Sequence, residues 1–332
     1  MIENTFLRGQ MPKDIQINYD NFLAEAGLRD EGDCDCIVLL QSESSGKILA
    51  CGAVSGRVLK QIAVDKAAEG CGLCAHIITR LTEYAACKNE IHLFLYTKPE
   101  HKALFSSLGF TELVSTESVL MMENKKNGLN SFLRSLPKGS GKIGAVVVNC
   151  NPFTLGHKYL IDFASKNCDF LYVFVLSEDS SLIPANDRYE LVKKGTEDLA
   201  NVYVIQSREY LVSKATFPSY FIKEEKECRK VKCELDLALF AKRIAPALNI
   251  KVRFAGEEPF DVVTRYYNES MRKILPAYGI EFVEVQRYMN ISARAVRELL
   301  QKGLVGETKQ FLPEVSYEYC RSKFGTDASG QR

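Results

Sequence analysis

Thr154, Gly156 and His157 stand where a β-branched run gives way to a helix-forming one. Ile143-Gly-Ala-Val-Val-Val is followed by Asn149-Cys-Asn151-Pro152-Phe153-Thr154-Leu-Gly156-His157. The run predicts a buried parallel strand, and the proline-containing turn predicts direct entry into a helix. Ligands of open α/β sheets bind beyond the carboxyl ends of the strands, where a helix N-terminus offers unpaired N–H groups to phosphate. Gly156 lets a ligand approach the backbone. His157, in the first helical turn, can donate to a phosphoryl oxygen as charge grows during a displacement. The plainer meaning is a helix capped by Asn151 and Thr154 with a surface histidine. The Thr-x-Gly-His spacing directly after a strand argues against it, and His157 is the only histidine after His101.

A second group follows at Tyr288-Met-Asn-Ile291-Ser292-Ala293-Arg294-Ala-Val-Arg297. It reads as a loop entering a helix with Ser292 as N-cap. Arg294 and Arg297 are three apart and so share one side of a helix. Two guanidinium groups beside a helix N-terminus make a polyphosphate clamp; a capped, solvated helix is the other meaning of the same residues.

Other segments are weaker. Ala255-Gly256-Glu257-Glu258-Pro259-Phe260-Asp261 follows a strand; Gly256 would admit a nucleotide's sugar or adenine, and the acidic pair Glu257 and Glu258 would take hydroxyls or help hold Mg²⁺. An acidic turn is an equal reading. Lys214-Ala-Thr216-Phe217-Pro218-Ser219-Tyr220-Phe-Ile-Lys223 is aromatic, with hydroxyls and lysines. It could line an acyl or thiol pocket, or be a packed loop. Arg188 could reach a phosphate or pair with Asp187. Gly70 and Gly72 open a predicted helix and could cradle a pyrophosphate. His76, His92 and His101 lie too far apart in sequence to suggest a metal site, and no metal-binding residue is assigned.

These residues need two scaffolds. The 332-residue chain is about twice a usual domain. Its 46% hydrophobic and 26% charged residues exclude a largely disordered chain. With 43 basic and 42 acidic residues the net charge is +1, which gives no support for nucleic-acid or anionic-membrane binding. No apolar run has the length of a membrane span, and the first residues lack the order of a signal peptide. The eleven scattered cysteines fit reduced core residues of a cytoplasmic protein.

A polar stretch at 127–141 reads as a linker, with a short helical turn from Leu129, and 327–332 as a tail. Before the linker, residues 1–126 give strands at 36–41, 48–55, 57–64, 91–96 and 119–123, with helices at 73–88 and 99–108. Beyond it, residues 142–326 alternate strand and helix: strands at 143–148, 170–176, 202–205, 251–254 and 281–285. Helices fall between them, with a closing one at 292–302. The expectation is an α/β chain, with a mixed α+β domain followed by a Rossmann-like, doubly wound parallel sheet.

Thr154-x-Gly-His157 resembles the His-x-Gly-His signature of the HIGH nucleotidyltransferase superfamily, with Thr154 in place of the first His. Ile291-Ser292-x-x-x-x-Arg297 resembles its Ile-Ser-Ser-Thr-x-x-Arg motif, which closes over the β/γ phosphates of ATP; Ala293 and Arg294 replace the usual Ser-Thr. The order of elements around Glu69-Gly70-Cys71-Gly72, with Leu108-Gly109-Phe110 after it, resembles the GNAT N-acetyltransferase fold. Glu69 puts a carboxylate where that family's loop meets pyrophosphate, which disfavours acetyltransferase catalysis. The resemblance implies instead a module that holds a CoA-like group or docks a partner.

Together, the two modules with Asn-Cys-Asn-Pro-Phe-Thr, Thr-Phe-Pro-Ser-Tyr-Phe, Gly-Glu-Glu-Pro-Phe and the Ile-Ser motif resemble the citrate lyase ligase family over nearly the whole chain. That resemblance implies an AMP-forming acid–thiol ligase using ATP and Mg²⁺. Acetate would be adenylated with release of pyrophosphate. The acetyl group would then pass to the thiol of a phosphoribosyl-dephospho-CoA group on the acyl carrier subunit of citrate lyase. His157, Thr154 and Arg297 would be catalytic. Asn149, Asn151, Pro152, Phe153, Gly156, Gly256, Glu257, Ser292 and Arg294 would bind ATP. Lys214, Thr216, Phe217 and Tyr220 would line the acyl or thiol pocket, and Gly70 and Gly72 the CoA-like group. An adenylyltransferase for a phosphopantetheine-like or mononucleotide substrate, a GNAT acetyltransferase, and a catalytically inactive carrier-binding module are the alternatives.

Overall fold

The computed structural model describes residues 1–177, 181–211, 220–221, 225–259 and 261–325. The chain forms two compact units: Met1–Phe132 with Thr216–Ala238, and Leu133–Ala215 with Leu239–Arg332. The first unit thus takes in a segment that the sequence reading grouped with the second domain. Among the described residues no helix is long and apolar enough to cross a membrane.

The first unit runs β1 (Ile2–Leu7), α1 (Lys13–Glu25), β2 (Cys36–Gln41), β3 (Ile48–Ser55), β4 (Val58–Val64), α2 (Leu73–Cys87), β5 (Phe94–Thr97), α3 (Lys102–Ser107), β6 (Thr111–Ser115) and β7 (Leu120–Glu123). One seven-stranded sheet has the order β1-β2-β3-β4-β5-β7-β6. Strand alternation divides its core. Cys36, Val38 and Leu40 face Leu73, Ile77 and Leu81 of α2. Leu39 points the other way, to Tyr19, Phe22 and Leu23 of α1. Gly52 lets α2 approach, since a Cβ there would lie 2.4 Å from Ile77 Cγ2. β4 and β5 are parallel and pair only at Val58↔Phe94 and Leu59↔Leu95. This sheet, with antiparallel pairs on both sides of one short parallel pair, is the GNAT-like architecture.

Most of the expected linker is helix α4 (Gly128–Ser135). Leu129, Phe132, Leu133 and Leu136 recur at helical spacing and are all buried.

The second unit carries β8 (Ile143–Val148), α5 (Leu155–Lys166), β9 (Phe170–Val175), α6 (Ala185–Gly195) and β10 (Val202–Gln206). After α7 (Glu225–Leu239), which falls largely in the first unit, come α8 (Ala245–Leu248), β11 (Val252–Gly256), α9 (Val262–Ile274), β12 (Glu281–Val285), α10 (Ala293–Gln301) and α11 (Glu314–Phe324). The sheet order is β10-β9-β8-β11-β12, and every pair is parallel. It is the doubly wound sheet the alternation implied. The central strands β8 and β9 and the start of β11 are buried, while the edge strands β10 and β12 are largely part-exposed, which is why β8 reads as a continuous apolar run. The strand order reverses between β8 and β11, so a crevice opens beyond their carboxyl ends.

Candidate active site at the sheet's switch point

The residues leaving β8 are tied down by α6. Arg188 is fully buried. Its Nη1 donates to the Asn149 carbonyl at 2.7 Å and also to Asn149 Oδ1, and its Nε donates to the Ile183 carbonyl at 3.0 Å. Arg188 therefore holds the motif's first asparagine. Asn151 is buried, with Oδ1 accepting from the Ile183 N–H at 3.1 Å. Phe153 is buried against Gly195, where a Cβ would lie 2.3 Å from its ring. Cys150, also buried, has its thiol pushed well above the usual range by desolvation, so it is no nucleophile.

Thr154 and His157 cap α5 reciprocally. Thr154 Oγ1 accepts from the His157 backbone N–H at 3.4 Å, and His157 Nδ1 accepts from the Thr154 backbone N–H at 3.1 Å. Thr154 Oγ1 lies 2.9 Å from the same ring nitrogen. An Nδ1 that accepts leaves the proton on Nε2. Among the described residues nothing takes that proton. Burial, then Arg287 and Arg297, push the imidazole down to about 4. His157 is therefore a neutral donor at pH 7. Its ring stacks on Phe153, with centroids 6.4 Å apart. The threonine fixes the tautomer and direction of the histidine.

The second motif comes to the same place. Ser292 caps α10, with Oγ accepting from the Ala295 N–H at 3.4 Å. Arg297 Nη1 donates to the Asn151 carbonyl at 2.6 Å, across 146 residues of sequence. Burial, with Arg294 second, holds the Arg297 guanidinium below the usual arginine range. A Cβ on Gly156 would sit 3.8 Å from Ile291 Cβ. Tyr159 of α5 stacks on Tyr288 at 4.9 Å. Arg294 is exposed instead and pairs with Glu298 at 3.1 Å, so the two arginines of the expected clamp do not converge.

Gly256 ends β11, where its carbonyl accepts from Asn268 Nδ2 at 2.9 Å. Glu257 is exposed; its N–H donates to Val285 O at 2.8 Å. Glu258 is drawn to Arg287, at 2.6 Å. Arg287 carries no local signal in the sequence, because its partner is 29 residues away.

Elsewhere, Gly70 and Gly72 both have φ in the left-handed region, +78° and +76°, and Gly72 caps α2. Tyr220 is buried in the first unit, its hydroxyl donating to the Tyr96 carbonyl at 3.0 Å. Lys214, Thr216 and Phe217 lie outside the described residues. His76 pairs with Glu3 and His92 with Glu123. Among the described residues no three His, Cys, Asp or Glu side chains converge on a metal position. All eleven cysteines are free, and six of them are buried.

A parallel sheet with a Thr-x-Gly-His helix start and an arginine-bearing helix meeting at its switch point defines a nucleotidyltransferase-class α/β domain, here joined to a GNAT-like unit. The family model of the citrate lyase ligase C-terminal domain matches residues 143–320. The chain is 41% identical over 289 residues to the citrate (pro-3S)-lyase ligase of Escherichia coli (strain K12), covering 83% of this chain and 82% of that protein. It is 39% identical over 295 residues to the corresponding ligase of Klebsiella pneumoniae, covering 85% and 86%. An acyl-CoA N-acyltransferase from Pseudomonas aeruginosa is similar over 37% of this chain and 99% of its own, at 15% identity and a TM-score of 0.31. The chain belongs to the citrate lyase ligase family, a family of enzymes.

Proposed function

We propose that this chain activates citrate lyase by an ATP-dependent acetylation of its acyl carrier subunit. Acetate oxygen attacks the α-phosphorus of ATP, and the bond to the bridging oxygen breaks, giving acetyl-adenylate and pyrophosphate. The thiol of the carrier's phosphoribosyl-dephospho-CoA group then attacks the acetyl carbon. A thioester forms, AMP leaves, and the thiol proton is released.

Both steps are helped mainly by positioning and charge stabilisation. In this reading the triphosphate lies over the start of α5. The Nε2–H of neutral His157 donates to a phosphoryl oxygen as charge builds, with Thr154 orienting the ring. Gly156 and the shaped turn Asn149-Cys-Asn151-Pro152-Phe153 let the phosphates approach the helix end. Arg297 and Ser292 hold the leaving pyrophosphate, while Arg294, exposed and paired with Glu298, lies outside that clamp. Gly256 and Glu257 border the nucleoside. Mg²⁺ bound with the triphosphate would neutralise part of its charge, and Glu257 would help hold it. Lys214, Thr216 and Phe217 are our candidates for the acyl and thiol side, and Gly70 and Gly72 for the carrier's CoA-like group. The free cysteines suit a reducing cytoplasm.

The observation that carries this reading is the Arg297 hydrogen bond to the Asn151 carbonyl, which joins both motifs around a histidine whose Nε2–H is unused. Incubation of the enzyme with labelled acetate, ATP and the deacetylated carrier tests it. Label should appear on the carrier in a hydroxylamine-labile thioester, with one AMP per acetyl group. Transfer of AMP itself to the carrier or to a small thiol would favour an adenylyltransferase instead.

A further inference from the structure

Arg287 belongs to neither motif, yet it ties together the loops that follow β11 and β12, on one side of the crevice between β8 and β11. It follows β12, four residues before Ile291, and its side chain is 13% exposed. Nη1 donates to Glu258 Oε1 at 2.6 Å, and Nη2 donates to the Ile291 carbonyl at 3.0 Å. Glu258 Oε1 also accepts, at 3.3 Å, from the N–H of Asp261, the N-cap of α9.

One planar guanidinium thus bridges the loop leaving β11 and the loop entering α10. A fork with two fixed donor directions sets a distance and an angle together, which a lysine cannot do. The carbonyl it holds belongs to the residue before Ser292, the cap from which α10 and Arg297 project. That same residue packs over Gly156. The height of the second motif above the start of α5 is therefore set through Arg287. Its charge also helps keep His157 neutral.

We propose that Arg287, latched to Glu258, is a positioning residue for the pyrophosphate half of the nucleotide, holding the Ile291–Ser292 loop in register over Gly156 and His157. The proposal rests on the nucleotide reading of this site. An ion pair that served stability alone would lower the melting temperature and leave nucleotide preference untouched. A positioning latch makes a different demand: it matters for ATP, which carries the pyrophosphate, and not for AMP.

The test is calorimetric titration of the purified full-length enzyme with ATP and, separately, AMP, both with Mg²⁺. Wild type is compared with Arg287→Met, Arg287→Lys, Glu258→Gln and the Arg287→Met/Glu258→Gln double variant. Loss of a positioned charge-assisted hydrogen bond predicts ATP affinity down by about tenfold or more in Arg287→Met. AMP affinity should stay within about twofold of wild type, because AMP lacks the pyrophosphate that this loop would hold. Arg287→Lys should fall between, keeping charge without the fork. The double variant should be no weaker than Arg287→Met, since both changes break one latch. Wild-type ATP affinity in Arg287→Met, or equal losses for ATP and AMP, would overturn the proposal. Where Arg287→Met does not fold, Arg287→Lys decides by the same ATP-against-AMP criterion. A wild-type enzyme that binds neither nucleotide would instead overturn the nucleotide reading itself, and this proposal with it.

Discussion

Replacing His157 by alanine removes a donor and an acceptor at once, and the structure gives each a size. In the proposed reading, the Nε2–H of His157 follows charge onto a phosphoryl oxygen. Losing one preorganised donor of this kind lowers kcat by roughly 10²–10³, or about 3–4 kcal/mol. The Nδ1 acceptor matters for folding: without it the Thr154 N–H loses its 3.1 Å partner, a cost of about 1 kcal/mol. A third consequence concerns pH. Burial first, then Arg287 and Arg297, push the folded imidazole from 6.5 down to about 4. The unfolded chain therefore binds a proton that the folded chain refuses between those values. The stability His157 contributes as a neutral group is complete above pH 6.5 and is lost as pH falls toward 4. The full shift corresponds to at most about 3 kcal/mol. Initial rates of acetate-dependent pyrophosphate release measure the first effect; urea unfolding of both proteins from pH 7.5 to 4 measures the others. Subtracting the two stability curves cancels the other titrating groups. The wild-type advantage should shrink steadily below pH 6.5. A variant within about threefold of wild-type kcat would remove the donor role of His157, and a stability difference that stays flat across that range would remove its buried, neutral state.

Two glycines separate packing from ligand contact. At Gly156 the nearest atom to an added Cβ is 3.5 Å away, so Gly156→Ala should fold normally and gain about 0.5–1 kcal/mol from helix propensity. Its ATP affinity, measured by titration, should nonetheless drop about tenfold or more as the methyl meets the phosphates. At Gly195 an added Cβ would meet Phe153 at 2.3 Å. Gly195→Ala should therefore lose about 1–3 kcal/mol in urea unfolding through overpacking, and displace the ring that stacks on His157.

The site was more legible in the sequence than its supports. Both motifs are short and local, and the strand before the first declares itself by its β-branched run. Chain order then places them at one end of a parallel sheet. The element order also gave the first unit's main strands and α2, whose buried positions Leu73, Ile77, Ile78, Leu81 and Ala85 match the helical period. Polar edge elements were hidden. β1 pairs with β2 along its whole length, yet Glu3, Asn4 and Thr5 mask it as a loop. α1 buries only Tyr19, Phe22 and Leu23, and α11 is rich in tyrosine and charge. Their helicity comes from packing rather than propensity. Much of the expected polar linker folds as α4 because four apolar side chains at helical spacing outweigh its polar neighbours.

Long-range partnership was the least readable feature. Nothing near Arg287 points to Glu258, and nothing in the Thr-Phe-Pro-Ser-Tyr-Phe run points to Tyr96, 124 residues from Tyr220. Arg294 and Arg297 lie three apart, and helical geometry alone suggested a shared clamp. The structure gives one a carbonyl near the histidine and the other an exposed glutamate.

Acyl-adenylate formation is the central claim, and it can be measured with no carrier present. Purified enzyme, ATP and Mg²⁺ are incubated with and without acetate, and pyrophosphate is quantified. A stoichiometric burst of pyrophosphate that requires acetate and disappears with Arg297→Ala is expected. Pyrophosphate release that ignores acetate, or that survives loss of Arg297 unchanged, would contradict it.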